Sequence, residues 1–230
     1  MAALNQATHE FVTELQRDPN VLGIILFGSW ARGNNRPTSD VDLVVILREG
    51  YRRAVEYRQQ QAFEIIYITV AAALDYWTRN LDDSAGLWSV AEILFDRDGT
   101  TRDLQAKVEA LLQAGKPAIA EAQLGQRYFD VEDRLRYVAA TIEQDPSTAH
   151  FVLTGHVLAL TELFFDLKQR WTPAPKQRLA AIRTLSPEFY ELLQAFYQDA
   201  SGVSTRLELA RKMVTLVWQD FPNITTSMKE

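Results

Sequence analysis

VLGIILFGSWARGNNRPTSDVDLVVIL, residues 21–47, is the stretch whose reading decides the fold. Val21–Phe27 is short, β-branched and apolar apart from Gly23, which is the pattern of a strand buried on both faces. Asp42–Leu47 repeats that pattern and predicts a second strand, with a polar loop between the two. Upstream, Leu4–Arg17 places Phe11, Val12 and Leu15 at helical spacing, and Asp18-Pro19-Asn20 stops the helix. Downstream, the polar segment Tyr51–Gln61 is expected to be helical and Phe63–Thr69 to form the third strand. Asp82–Val90 reads as a helix, Glu92–Phe95 as an edge strand, and Arg97-Asp98-Gly99 has turn chemistry.

Beyond Gly115 no strand-like run reappears. Amphipathic patterns predict helices near Ile119–Gln144, Thr148–Arg170, Pro187–Asp199 and Thr205–Gln219, broken at Pro146, at Trp171–Pro175 and at Ser201-Gly202. The expected fold class is therefore α+β: a small α/β domain with a mixed sheet over residues 1–115, followed by a helical bundle over 116–230. A ligand cleft is expected between them.

With 47% hydrophobic and 23% charged residues, the chain has the balance of a globular protein rather than a disordered one. A net charge of −6 and a pI near 5.2 argue against a surface that grips extended nucleic acid, which needs a basic stripe. A small anion remains compatible, because a bound cation can supply the missing positive charge. The absence of cysteine excludes disulfides and cysteine zinc sites and fits a reducing cytoplasm. The first eighteen residues are polar and acidic at helical spacing, unlike a signal peptide, and no uninterrupted apolar run of membrane-spanning length occurs, so no membrane partner is expected.

The chemistry concentrates in the loop after the first strand. Gly28 at the strand end lets backbone approach a ligand closely, and Ser29 offers a hydroxyl and an N–H to a phosphate. Arg32 can pair with the same phosphates or form a surface ion pair, and Ser39 joins this nucleotide-binding set or merely closes a turn ahead of Asp40. Asp40 and Asp42 are two apart at the start of a strand, so their carboxylates share a face and can converge on one hard cation such as Mg²⁺. Glu64, near the start of the third strand, reaches the same sheet edge if that strand lies beside the first two. Two carboxylates on metal with a third close by suit in-line phosphoryl or nucleotidyl transfer. The third acid deprotonates an attacking hydroxyl or holds a second metal.

Gly28-Ser29, ten intervening residues, then Asp40-Val41-Asp42 after an apolar strand resembles the signature of the DNA polymerase β-like nucleotidyltransferase superfamily. GSWARGNNRPTSDVDL is similar both to minimal nucleotidyltransferases and to the antibiotic-modifying branch. AFEIIYIT resembles the strand that carries the general-base glutamate in aminoglycoside (streptomycin and spectinomycin type) adenylyltransferases, which implies that role for Glu64. Residues 150–198 resemble, more loosely, the segment of those enzymes in which a lysine reaches the ATP phosphates, which implies that role for Lys176. The resemblance implies transfer of AMP from ATP, with Mg²⁺, to a hydroxyl of a small molecule such as an aminoglycoside, by a monomer or homodimer. The alternatives are adenylylation of a protein or RNA partner, as in antitoxin-like enzymes, or a catalytically silent nucleotide-binding module. The arginine-to-histidine spacing of the ribonuclease partners is absent, which weakens a fused toxin, and two adjacent carboxylates without a cation would be costly in a mere scaffold.

Other features are set aside. His9, His150 and His156 lack the paired spacing of a zinc site. Asp96-Arg97-Asp98-Gly99 lacks the remaining ligands of a calcium loop and is expected to be a turn. The five tryptophans are expected in cores, Trp30 alone lying in the motif loop. Asp130, Glu132 and Asp133 either attract a cationic acceptor or form an ordinary solvated helix face.

Overall fold

The computed structural model describes residues 4–198 and 202–224, which fall into two compact units dividing between Gly115 and Lys116. The first unit is a five-stranded mixed sheet with helices on both faces. In chain order it runs α1 (Gln6–Gln16), β1 (Val21–Phe27), α2 (Gly28–Ala31), β2 (Val41–Leu47), β3 (Arg52–Arg58), β4 (Gln61–Thr69), α3 (Val70–Arg79), α4 (Leu81–Trp88), β5 (Glu92–Asp96) and α5 (Thr100–Gln113). The spatial order is β3-β4-β2-β1-β5. β2 and β4 are parallel, and every other neighbouring pair is antiparallel.

β1, and β2 apart from Asp42, are apolar because both of their faces are covered. Ile24, Leu26, Leu43, Val45, Phe63 and Ile65 pack with Phe11 and Val12 of α1 on one side. Leu22, Ile25, Val44 and Ile46 pack with Ala73, Trp77, Trp88, Leu104 and Val108 of α3–α5 on the other. α1 starts where Asn5 caps it, its Oδ1 accepting from the Thr8 backbone N–H at 2.9 Å. The Asp96-to-Gly99 segment is a strand-to-helix turn. The buried Asp96 carboxylate accepts from the N–H groups of Gly99 and Thr101, both at 3.1 Å, at the start of α5.

Residues 51–61 correct the sequence expectation. Instead of a helix, Arg52–Arg58 is an edge strand paired antiparallel with β4. The hairpin turns at Gln59 and Gln60, with φ of 47° and 67°, the left-handed backbone of a two-residue turn. Glutamines there carry none of the Asn-Gly signal that would have announced it, and a solvated edge strand has no apolar run. α3 and α5 were also not anticipated. α3 follows β4 with no breaker between them, the change coming at Thr69, whose hydroxyl caps Ala72 N–H.

The second unit holds α6 (Glu121–Thr141), α7 (Pro146–Leu167), α8 (Pro175–Leu185), α9 (Pro187–Gln198) and α10 (Val203–Val217). It is all-helical among its described residues, as expected, although α8 begins inside what was read as a break. Asp199 and Ser201, the expected helix end and turn, lie outside the described residues. The core gathers Leu135, Leu153, Leu160, Phe164, Phe189, Leu193 and Met213. α7 is the one helix among the described residues long and apolar enough to cross a membrane, and half of its apolar stretch is buried in the protein. Its row Leu153, Val157, Leu160, Phe164 belongs to that core. His156 is also core, 2% exposed, and burial, with the Arg134 charge adding to it, lowers its pKa to about 4.

Candidate active site

Asp42 and Glu64 stand side by side because β2 and β4 are parallel and in register. One row crosses four strands: Phe27 of β1 faces Asp42, Asp42 faces Glu64, and Glu64 faces Val55 of β3. Side chains alternate faces along a strand, so Asp42 and Glu64 lie on the side of Val44, Ile46, Ile66 and Ile68, where α3–α5 pack. They sit at the starts of their strands, and Asp40 precedes β2 by one residue. The ligand oxygens of Asp40, Asp42 and Glu64 lie within 4.8 Å of one another; Asp40 is exposed and the other two are half-buried. Three carboxylates this close repel, and a divalent cation converts that repulsion into coordination. The all-oxygen, all-anionic donor set fits a hard cation such as magnesium rather than a soft one.

Gly28 is demanded by this geometry. Its φ is +71°, and a Cβ added there would lie 1.7 Å from Oδ2 of Asp42. Any side chain would displace the carboxylate and strain the backbone at once. Ser29, the next residue, has a buried hydroxyl with no hydrogen-bond partner, an orphan of the kind that a ligand oxygen satisfies.

The loop from Arg32 to Asp40 is tied down at several points. Gly33 turns with φ of +69°, and the Ser39 hydroxyl accepts from the Arg36 N–H at 2.9 Å while the Ser39 N–H donates to the Arg36 carbonyl. That hydroxyl thus closes the turn ahead of Asp40. Trp30 is buried against the α1-side core and donates from Nε1 to the Ser39 carbonyl at 3.4 Å, so its ring serves packing. Arg32 is half-buried at the end of α2.

Two residues that sequence reasoning missed hold the site. Gln61 donates to the Ser39 carbonyl at 2.9 Å and accepts from Asn5 at 3.0 Å, joining the start of β4, the loop and α1. Arg53 of β3 pairs with Glu64 at 3.4 Å, which orients the carboxylate; both side chains are substantially exposed, so the pair adds little stability. The signal for Arg53 was the two-residue alternation of Arg53, Val55 and Tyr57, masked by their polar neighbours. Lys176 is exposed in the first turn of α8, in the second unit. Asp130 and Asp133 pair locally with Gln126 and Arg136, as on a solvated helix face.

Residues 9–97 match the sequence profile of the family described as nucleotidyltransferase domain. A protein of Methanocaldococcus jannaschii, provisionally named a protein adenylyltransferase, is 26% identical over 141 residues, spanning 56% of this chain and 96% of that protein. The crystal structure of a nucleotidyltransferase-like protein from Exiguobacterium sibiricum superposes with a TM-score of 0.53 at 17% identity, covering 94% of this chain and 74% of that one, a likeness of fold.

Proposed function

With residues 9–97 a nucleotidyltransferase domain of the DNA polymerase β-like superfamily, and the chain therefore a nucleotidyltransferase enzyme, we propose that it is a magnesium-dependent adenylyltransferase moving AMP from ATP to an acceptor hydroxyl. One observation carries this reading: Asp40, Asp42 and Glu64 converge within 4.8 Å beside Gly28, where any side chain would strike Asp42.

Asp40 and Asp42 would hold magnesium, which supplies charge neutralisation of the triphosphate when bound. Ser29 lends its unpaired hydroxyl to a phosphate oxygen, Gly28 keeps the approach open, and Arg32 completes the nucleotide-binding set, while Ser39 holds the loop that ends at Asp40. Glu64 takes the proton of the acceptor hydroxyl as its oxygen attacks the α-phosphorus. The bond from that phosphorus to the bridging oxygen breaks, and pyrophosphate leaves with the electron pair. The resemblance of its segment assigns Lys176 to the ATP phosphates and the helical unit a share in choosing the acceptor. We place the activity in the cytoplasm, in keeping with a chain that has no cysteine.

The acceptor suggested by the resemblance is a small hydroxyl compound of the aminoglycoside type. A second reading, transfer to a protein hydroxyl, is favoured by the name of the Methanocaldococcus relative, whose match spans nearly all of that protein. The deciding experiment is mass spectrometry of the protein with Mg²⁺, ATP and a panel of aminoglycosides and lincosamides. AMP on a drug supports the small-molecule acceptor, AMP on protein supports the second reading, and ATP left uncleaved under every condition removes the proposal.

A further inference from the structure

Glu64 faces Val55 across the β4–β3 pair, which makes Arg53 and Tyr57 its two diagonal neighbours on the same face of the sheet. Diagonal positions lie about 7–8 Å apart, within reach of aromatic and long side chains. Arg53 fills one diagonal and is held to the carboxylate at 3.4 Å. Tyr57 fills the other, toward the start of β4, and is 74% exposed. Its direct partner is Ala62, and Asp40 falls level with Ala62 because the next residue, Val41, faces Phe63. In that row a single methyl group separates Tyr57 from Asp40. Tyr67 is placed differently, buried with the α1-side core under the Arg52 guanidinium, and the Tyr76 hydroxyl of α3 donates to Asp83 at 2.9 Å.

We propose that Tyr57 is a self-modification site: given Mg·ATP, the chain adenylylates the hydroxyl of its own Tyr57. This rests on adenylyl transfer to a hydroxyl as proposed above, and it supplies a protein acceptor without a partner. Sheet order is the first reason. Going from β1 to β3, the sheet presents Gly28 and Ser29 for the phosphates, Asp42 for the metal, Glu64 for the proton and then Tyr57. In-line displacement needs the attacking oxygen and the departing pyrophosphate on opposite sides of the α-phosphorus, and this order puts the phenol on the side away from Gly28 and Ser29. Reach is the second reason, because a hydroxyl carried one strand from Glu64 meets it without the binding step that an external acceptor needs. Exposure is the third, since Tyr57 has no core contact to leave before it reacts. The transfer balances: the phenol proton passes to Glu64 and Oη bonds to the α-phosphorus. The bond from that phosphorus to the bridging oxygen breaks, pyrophosphate leaves with the electron pair, and Tyr57 is left joined to AMP as a phosphodiester.

The test incubates the full chain with Mg²⁺ and α-phosphate-labelled ATP, first alone and then with the aminoglycoside and lincosamide panel, and locates AMP by peptide mass spectrometry. The expected result is AMP on Tyr57, formed at a rate per chain that does not change with protein concentration. Tyr57→Phe should lower labelling of the chain by roughly tenfold or more, while its binding of Mg·ATP shows that the nucleotide site persists. Undiminished label in Tyr57→Phe, or label that maps to another residue such as Thr38 or Ser39, overturns the site. Mixing Tyr57→Phe with Asp42→Asn tests the geometry: label appearing on the Asp42→Asn chain means transfer between copies and overturns attack within one sheet. Label on a drug with none on the chain also overturns the proposal, while leaving adenylyl transfer standing. AMP transferred to neither chain nor drug, with ATP left uncleaved, fails the underlying reading instead.

Discussion

β2 and β3 are each seven residues long and lie two places apart in one sheet, yet VDLVVIL and RRAVEYR have almost nothing in common. β2 is central, covered on both faces, and its only polar side chain is Asp42. β3 is at the edge, and none of its residues is fully buried. Backbone geometry is the same in both, so the contrast teaches that composition reports a strand's surroundings more than its conformation. It also explains how the site is built. The buried β2 fixes Asp42 in space, while the exposed β3 brings Arg53 to Glu64 and, among the described residues, has no strand on its outer side.

The contrast can be pressed hardest at Asp42. Asp42→Asn is expected to cut turnover by roughly a thousandfold or more, and chelation of divalent cations in the wild type should do the same. The unfolding midpoint should be unchanged or higher, because one of three clustered carboxylates has lost its charge. Wild-type turnover in this variant would separate β2 from the chemistry altogether. Gly28→Ala acts on the same carboxylate from the start of α2. Collision with Asp42 Oδ2 and a φ of +71° should cost activity about a hundredfold and stability about 1–3 kcal/mol, read by steady-state kinetics and denaturant titration.

Truncation measures the packing difference directly. Leu43→Ala in β2 should destabilise by about 2–5 kcal/mol, since Leu43 is completely buried. Val55→Ala in β3 should fall within about 0.5 kcal/mol of wild type. Similar losses at the two sites would mean that β3 is covered in solution. The smallest expected effect is at Arg53. Arg53→Ala should change stability by under about 0.5 kcal/mol but lower kcat severalfold through a poorly oriented Glu64, with Arg53→Lys restoring part of it. An unaltered kcat would limit Arg53 to the surface.

The candidate-site side of the fold was legible because it is written in short-range patterns. Continuous apolar runs announced β1, β2 and β4, and Gly28-Ser29 with Asp40 and Asp42 stood at fixed spacing after the first of them. β3 was illegible for the opposite reason. An edge strand has few apolar contacts to encode, and a Gln59-Gln60 turn lacks the residues that advertise a left-handed backbone. Ser39 and Trp30 show a subtler limit. Both lie within the motif, but hydrogen bonds to Arg36 and burial against α1 give the Ser39 hydroxyl and the Trp30 ring structural work that spacing does not reveal.

By itself, the sequence determined that the chain has an apolar mixed sheet followed by helices, and that two aspartates two residues apart can share a face, because strand alternation is a local property of the backbone. Only the tertiary structure decided that Glu64 joins them and that Val55, on the edge strand, ends their row. It also decided that Asp42 lies against Gly28. Each of these depends on which strands pair and in what register, and pairing is set by the burial of residues far apart in the chain.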